Sequence, residues 1–179
     1  MFKHYPRLTA VVLTYLVAFG VFAAVGPMTA HNLVEPLGIG GIILAGALYT
    51  YGFTASIGAV LLIALAPDYS PVVLALLGGI GATISDITIF TFIRGSLHKE
   101  INQLAKHTTV ARILKSRALN QKWIRDILGF LVIASPLPDE VGITFLTMTR
   151  MDDATFRIVD FTANVLGIYI LAIIATLVY

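Results

Sequence analysis

Four carboxylates and one amide stand where an apolar sequence accommodates them least. Asp86 interrupts the apolar run 71–93, Asp139 and Glu140 follow Ser135-Pro136-Leu137-Pro138, and Asp160 and Asn164 interrupt the run 156–178. A carboxylate inside a membrane span is costly enough to be treated as functional by default. Two adjacent carboxylates in a low-dielectric setting do not both ionise easily, so Asp139 and Glu140 suit proton exchange or cation binding. An acid at the start of a helix is also favoured by its free amides and dipole. Asp139 is placed for that cap, which leaves Glu140 as the exchange group. Asp86 precedes Arg94 by two helical turns, so an ion pair through a water pocket is its structural alternative. Asp160 and Asn164 share a helical face continued by Gly167. For them helix association is the preferred reading, with Asp160 near a wet inner end. His31 and Glu35, one turn apart, form an outer proton entry or an ordinary loop pair, and the ordinary pair is preferred. The expected proton- or substrate-binding set is therefore Asp86, Asp139, Glu140, Asn164, Asp160 and Arg94.

Other chemistries find little to work with. The chain has no cysteine, so thiolate metal sites, disulfides and a cysteine nucleophile are excluded. His4, His31, His98 and His107 are scattered, and none accompanies a serine in a nucleophile-elbow pattern. Gly38-Ile39-Gly40-Gly41 lacks the strand and the lysine of a phosphate loop. The expectation is a protein without enzymatic activity, metal or cofactor.

The elements that must position these groups are membrane elements. Of 179 residues 58% are hydrophobic and 12% charged, about half the charge of a soluble domain. Mean hydropathy is +0.89. The net charge of +2 is unevenly spread: residues 94–125 hold eight Lys and Arg against one acid, Glu100. A basic block between apolar runs marks the cytoplasmic face and meets anionic lipid, and does not suggest nucleic-acid binding. Within it Leu97, Ile101 and Leu104, then Val110, Ile113 and Leu114, recur at helical spacing. This predicts one or two interfacial amphipathic helices broken near Thr108 and Thr109.

Span lengths give the topology. Residues 8–30 are uncharged after Lys3 and Arg7, longer than a signal-peptide core, so a retained span over 8–26 is expected. Residues 37–66 would make a helix of about 45 Å, against a hydrocarbon core of about 30 Å. That is too long for one comfortable span and too short for two. A re-entrant hairpin over 38–66, broken at Tyr51-Gly52, resolves the mismatch. It also brings the basic segment 94–125 to the same side as Lys3 and Arg7. After the span 71–93 and that segment, two short apolar runs flank Pro136 and Pro138. Prolines cannot sit inside one continuous helix without losing backbone bonds, so 127–150 is read as a second re-entrant hairpin. The span 156–178 then ends outside. The fold expected is an all-α integral membrane protein, a single membrane domain over 1–179. It is an inverted repeat of re-entrant hairpin plus transmembrane helix with a cytoplasmic amphipathic linker. At an offset of 86, Gly81-Ala82-Thr83-Ile84 falls on Gly167-Ile168-Tyr169-Ile170. Inverted repeats with broken helices are a transporter design.

The segment Gly81-Ala82-x-x-x-Asp86-x-x-x-Phe90-x-x-x-Arg94-Gly95 resembles the Gly-Ala-x-x-Gly-Asp-x-x-x-Tyr-x-x-Gly-Arg motif of the DedA family, the VTT or SNARE-associated superfamily. Met151, Phe156, Asn164 and Gly167 resemble the pattern after that family's second hairpin. The tip Ser135-Pro136-Leu137-Pro138-Asp139-Glu140-Val141-Gly142 is closer to the Pro-Leu-Pro-x-x-Gly element of small multidrug export-like relatives. Two departures stand out. Asp139 and Glu140 occupy a region where the family has arginines, and the first hairpin lacks Pro-x-Pro-x-Glu, Glu35-Pro36 being the nearest match. The resemblance implies a proton-linked transporter of the cell membrane, moving a small cation or an amphipathic or lipid substrate. Its implied alternative is a flippase or scramblase of polyprenyl-phosphate or phospholipid. Loss of the arginines weakens that alternative, since guanidinium is the natural phosphate partner. A non-transporting assembly protein is the third reading. Membrane lipids are expected partners, and homo-oligomerisation is left open.

Overall fold

The structure, a computed structural model, describes residues 16, 17, 20, 27–52, 54–104, 121–135, 139–149 and 151–178, without the side chains of 27, 28, 30, 92–104 and 178. The expected span 8–26, apart from three residues, lies outside the described residues, as do the middle of the basic segment (105–120), Pro136, Leu137, Pro138 and Arg150.

The described elements are helical: α1 (Pro27–Val34), a 3-10 turn (Glu35–Leu37), α2 (Ile39–Thr50), α3 (Ala55–Leu65), α4 (Pro71–Leu104), α5 (Lys122–Ile133), α6 (Asp139–Met148) and α7 (Asp153–Val178). Two of them are long and apolar enough to cross a membrane, over Pro71–Thr91 and Asp153–Leu177. The 3-10 turn and α2 meet at a bend of 119°, made at Gly38, whose φ of +52° suits glycine alone.

Local chemistry explains the breaks. α2 stops at Thr50 because Tyr51 turns extended, at φ −79° and ψ 128°. Its last carbonyls do not go wanting: the Thr54 hydroxyl donates to the Leu48 oxygen at 2.7 Å, and the Ala55 amide donates to the Tyr51 oxygen at 2.7 Å. Ser70 and Pro71 open α4, with the Val73 amide donating to Ser70 Oγ. Asp152 caps α7, accepting from the Thr155 amide at 3.0 Å and its hydroxyl at 2.7 Å.

One boundary differs from expectation. α4 does not end at residue 93 but continues to Leu104, so Leu97, Ile101 and Leu104 belong to the same helix as the apolar span Pro71–Thr91 instead of beginning a separate helix. Gly95 alone, a penalty of about 1 kcal/mol, does not break a helix that lacks a proline or a turn sequence there. α5 likewise begins at Lys122, inside the segment expected as linker.

Among the described residues, large apolar side chains are exposed while several polar and charged ones are buried. Ile84, Ile158 and Leu177 are 60%, 68% and 81% exposed, whereas Asp86, Asp160 and Asn164 are fully buried. In water this would invert the usual order of burial; against lipid it is the natural one. α2 packs against α3 and α4, α4 against α7 and α6, and α5 against α6 and α7. Small residues permit these crossings: a Cβ at Gly81 would lie 1.9 Å from the Ile43 oxygen, and one at Gly46 would lie 2.0 Å from the Gly78 oxygen. One apolar cluster gathers Ile42, Leu62, Leu65, Leu74, Ala82 and Ile168. A second gathers Ile89, Phe90, Ile133, Leu146, Phe156 and Ala163. Asp86 lies along α4 between Ala82 of the first cluster and Ile89 of the second.

Candidate functional site

Three aspartates from three helices converge at the boundary between the two apolar clusters. Asp86 comes from α4, Asp139 from the first turn of α6, and Asp160 from α7; all are buried. Asp86 has Asn164, Asp160, Asp139 and Thr50 as near neighbours. The Asn164 amide donates to Asp86 Oδ2 at 3.0 Å, and the Thr50 hydroxyl donates to Ser85 Oγ at 2.9 Å. Asp86 is five residues from the Thr91 end of the apolar span, so the centre lies about 7 Å inside that end along the axis.

The oxygens around this centre outnumber the donors. Both carboxylate oxygens of Asp139 and of Asp160, together with Asp86 Oδ1, Glu140 Oε2 and Asn164 Oδ1, are buried without a partner among the described residues. Ionised carboxylates are acceptors only, so a hydrogen bond between two of them needs a proton on one. Burying three such charges together is prohibitive without protons or a cation between them. Among the described residues, no group of three or more His, Asp or Glu side chains is arranged to hold a metal ion.

Glu140 sits apart from this trio. Its Oε1 accepts from the Gly52 amide at 3.1 Å, so the start of α6 touches the connector between α2 and α3. An aromatic stack lies one turn further along α4, toward its Thr91 end. Phe90 and Phe156 lie one turn from Asp86 and Asp160 respectively, their rings 3.9 Å apart and inclined by 13°.

The structure thus brings together Asp86, Asp139, Asp160 and Asn164, with Glu140 at the edge. The Arg94 side chain lies outside the described residues. Two assignments are corrected. Asp139 does not cap α6: it is buried facing Asp86 and Asp160, and Glu140 makes the amide contact, but to another helical pair. Asp160 is not at a wet end: it is 0% exposed, because α7 begins at Asp153 and Asp160 is already two turns inside. Sequence reading missed Thr50, Ser85 and the Phe90–Phe156 pair. The spacing of one turn between each Phe and an Asp was the signal available for the last.

His31 lies elsewhere, in α1. Its Nε2 bonds Asp68, beyond α3, and its Nδ1 is 3.7 Å from Glu35 Oε2. The Asp68 hydrogen bond, joined by the Asp68 and Glu35 charges, raises the imidazole pKa above 6.5. Asp152, bonded by Thr155, is held below the usual carboxylate range.

No family model, curated protein or solved structure matches this chain.

Proposed function

We propose that the chain is a DedA-like, proton-coupled membrane transporter that moves a small cation or an amphipathic substrate past the Asp86–Asp139–Asp160 centre. The observation that carries this reading is the centre itself: three buried carboxylates from three helices, with oxygens that have no hydrogen-bond partner among the described residues. A site that must hold protons or a cation to be buried at all can exchange one for the other. In this reading α2–α3 and α5–α6 are re-entrant hairpins entering from opposite faces, α4 and α7 are spans, and residues 94–125 face the cytoplasm. The glycine crossings support a two-half plan. At the offset of 86, Gly81 lies against the Ile43 oxygen in α2, and Gly167 lies against the Ala134 oxygen at the end of α5.

The test is reconstitution in liposomes with a trapped pH indicator and an imposed pH gradient. Sodium, potassium and a lipophilic cationic dye are supplied in turn. Gradient-linked movement of one of them is expected with the unaltered chain and is lost in Asp86→Asn and Asp139→Asn, while a labelled phospholipid keeps to its leaflet. No protein-dependent coupling, or lipid exchange without a gradient, overturns the proposal.

A further inference from the structure

α5 has two unlike sides. Gly129 and Ile133 are buried against Leu146 and Gly142 of α6. On the opposite side Trp123, Ile127 and Leu131, each one turn after the last, are 60%, 50% and 56% exposed. An exposed apolar stripe of this kind marks a protein or membrane contact. Charge is confined to the start of the helix: Lys122 is exposed, Arg125 and Asp126 are half-buried, and residues 127–135 carry none.

Trp123 divides the two regions. Its indole Nε1 donates to the Gln121 side chain, so the polar edge turns to the polar start of the helix while the ring begins the apolar stripe. A ring with one wet edge and an apolar body concentrates at membrane–water boundaries. From Trp123 to Leu131 the helix rises about 12 Å, within the roughly 15 Å of one leaflet's hydrocarbon.

The stripe continues the apolar exterior of a long helix. α5 packs on α7: Gly167 lies against the Ala134 oxygen, and Ile133, with Phe130 packed beside it, shares a cluster with Ala163 and Phe156. Both helices therefore run inward from the same end. Followed back from Ala134 and Gly167, exposed side chains carry no charge until Lys122 on α5 and Arg157 on α7. Ile158, 68% exposed beside Arg157, stands to α7 as Ile127 stands to α5. The polar boundary thus falls at a similar level on two packed helices, one of which is long and apolar enough to cross a membrane.

We infer that the Trp123–Ile127–Leu131 face of α5 binds phospholipid directly, with Trp123 at the headgroup boundary of one leaflet and Ile127 and Leu131 against its acyl chains. The inference rests on the re-entrant part of the proposed function and deepens it. The 12 residues of α5 reach about 18 Å, enough for one leaflet and not for the bilayer. One side of the helix then meets lipid and the other meets α6 and α7.

Trp123 is the only tryptophan of the chain, so its depth is read by fluorescence. The full chain is reconstituted in phosphatidylcholine vesicles whose acyl chains carry bromine near the glycerol, in mid-chain or at the chain end, and iodide probes access from water. Loss of Trp123 emission is expected to be greatest with the shallow bromines. With Trp123→Phe combined with Ile127→Trp, the greatest loss shifts to mid-chain bromines, and with Leu131→Trp to chain-end bromines. If Leu131→Trp fails to fold, the shift between Trp123 and Ile127→Trp decides alone. Quenching by iodide without quenching by bromine overturns the inference. Shielding from both also overturns it, as a second copy or another segment of the chain over this face would give, and so does an equal depth at every position. Ordered depths without coupled flux leave the lipid face standing and remove the transport reading. Coupled flux without bromine quenching does the reverse, because the aspartates are carried by α4, α6 and α7.

Discussion

The first helical pair, α2–α3, carries no charge, whereas the second, α5–α6, presents Asp139 and Glu140 at its tip. Yet the two are built alike. Each is a pair of short helices packed together, and each lies against a long helix whose glycine admits the pair's backbone: Gly81 for the first, Gly167 for the second. Within each pair glycine also sets the approach: a Cβ at Gly58 would meet the Tyr49 amide nitrogen at 2.4 Å, and one at Gly142 the Gly129 oxygen at 2.8 Å. The two pairs thus have packing contacts in common, and their chemistry differs. The first pair offers the neutral groups of Thr50 and Gly52; the second pair and α7 offer carboxylates. Interactions across the tips therefore couple neutral donors to charged acceptors.

The shared backbone is broken most severely at its glycines. Gly81→Leu is expected to destabilise the protein by about 3 kcal/mol, since its Cβ would overlap backbone that cannot rotate away. Gly167→Leu, with a Cβ 2.8 Å from the Ala134 oxygen, is expected to cost about 2 kcal/mol. Thermal unfolding in detergent ranks the two, and an equal tolerance of both would weaken the two-half plan. The unshared chemistry is tested by Asp139→Asn. Removing one of three buried carboxyls is expected to abolish coupled flux while changing stability by less than about 1 kcal/mol, because a buried charge is replaced by a group of similar shape. Phe90→Ala, which removes one ring of the stack one turn from Asp86, is expected to cost about 3 kcal/mol. It should also make the pH gradient collapse faster, read with the trapped indicator.

A smaller effect belongs to His31. Its pKa is raised above 6.5 chiefly by the Asp68 hydrogen bond, so the link between α1 and the turn after α3 is complete below about that pH. It fades as pH rises through the raised value. Hydrogen exchange in α1 should accelerate over that interval, and His31→Ala should remove the pH dependence. Asp152, whose pKa is lowered, acts in the opposite direction: its cap is present above the ordinary carboxylate range and is lost on acidification. Asp152→Ala should fray only the first turn of α7.

Much of this arrangement was legible in the sequence through length and punctuation. Residues 37–66 were the wrong length for one span, and the helix breaks at Tyr51, as Gly52 suggested. α5 ends at Ile133 and α6 begins at Asp139, on either side of the sequence positions of Pro136 and Pro138. What periodicity did not reveal was the partnership of residues far apart in sequence. Asp139 read as a cap because its own helix offers free amides, and only α4 and α7 supply the reason it turns inward. Asp160 read as wet because its depth depends on where α7 starts. The extension of α4 to Leu104 was hidden by the change to basic composition, which alters the helix's surroundings without stopping it.

Asp160→Asn is the most direct test, because sequence spacing favours helix association for this residue, whereas its burial makes it a member of the proposed centre. Initial rates of gradient-coupled flux are compared in liposomes holding equal amounts of folded unaltered and variant protein. The aspartate centre predicts loss of coupled flux with the fold retained. A full rate in Asp160→Asn would contradict it.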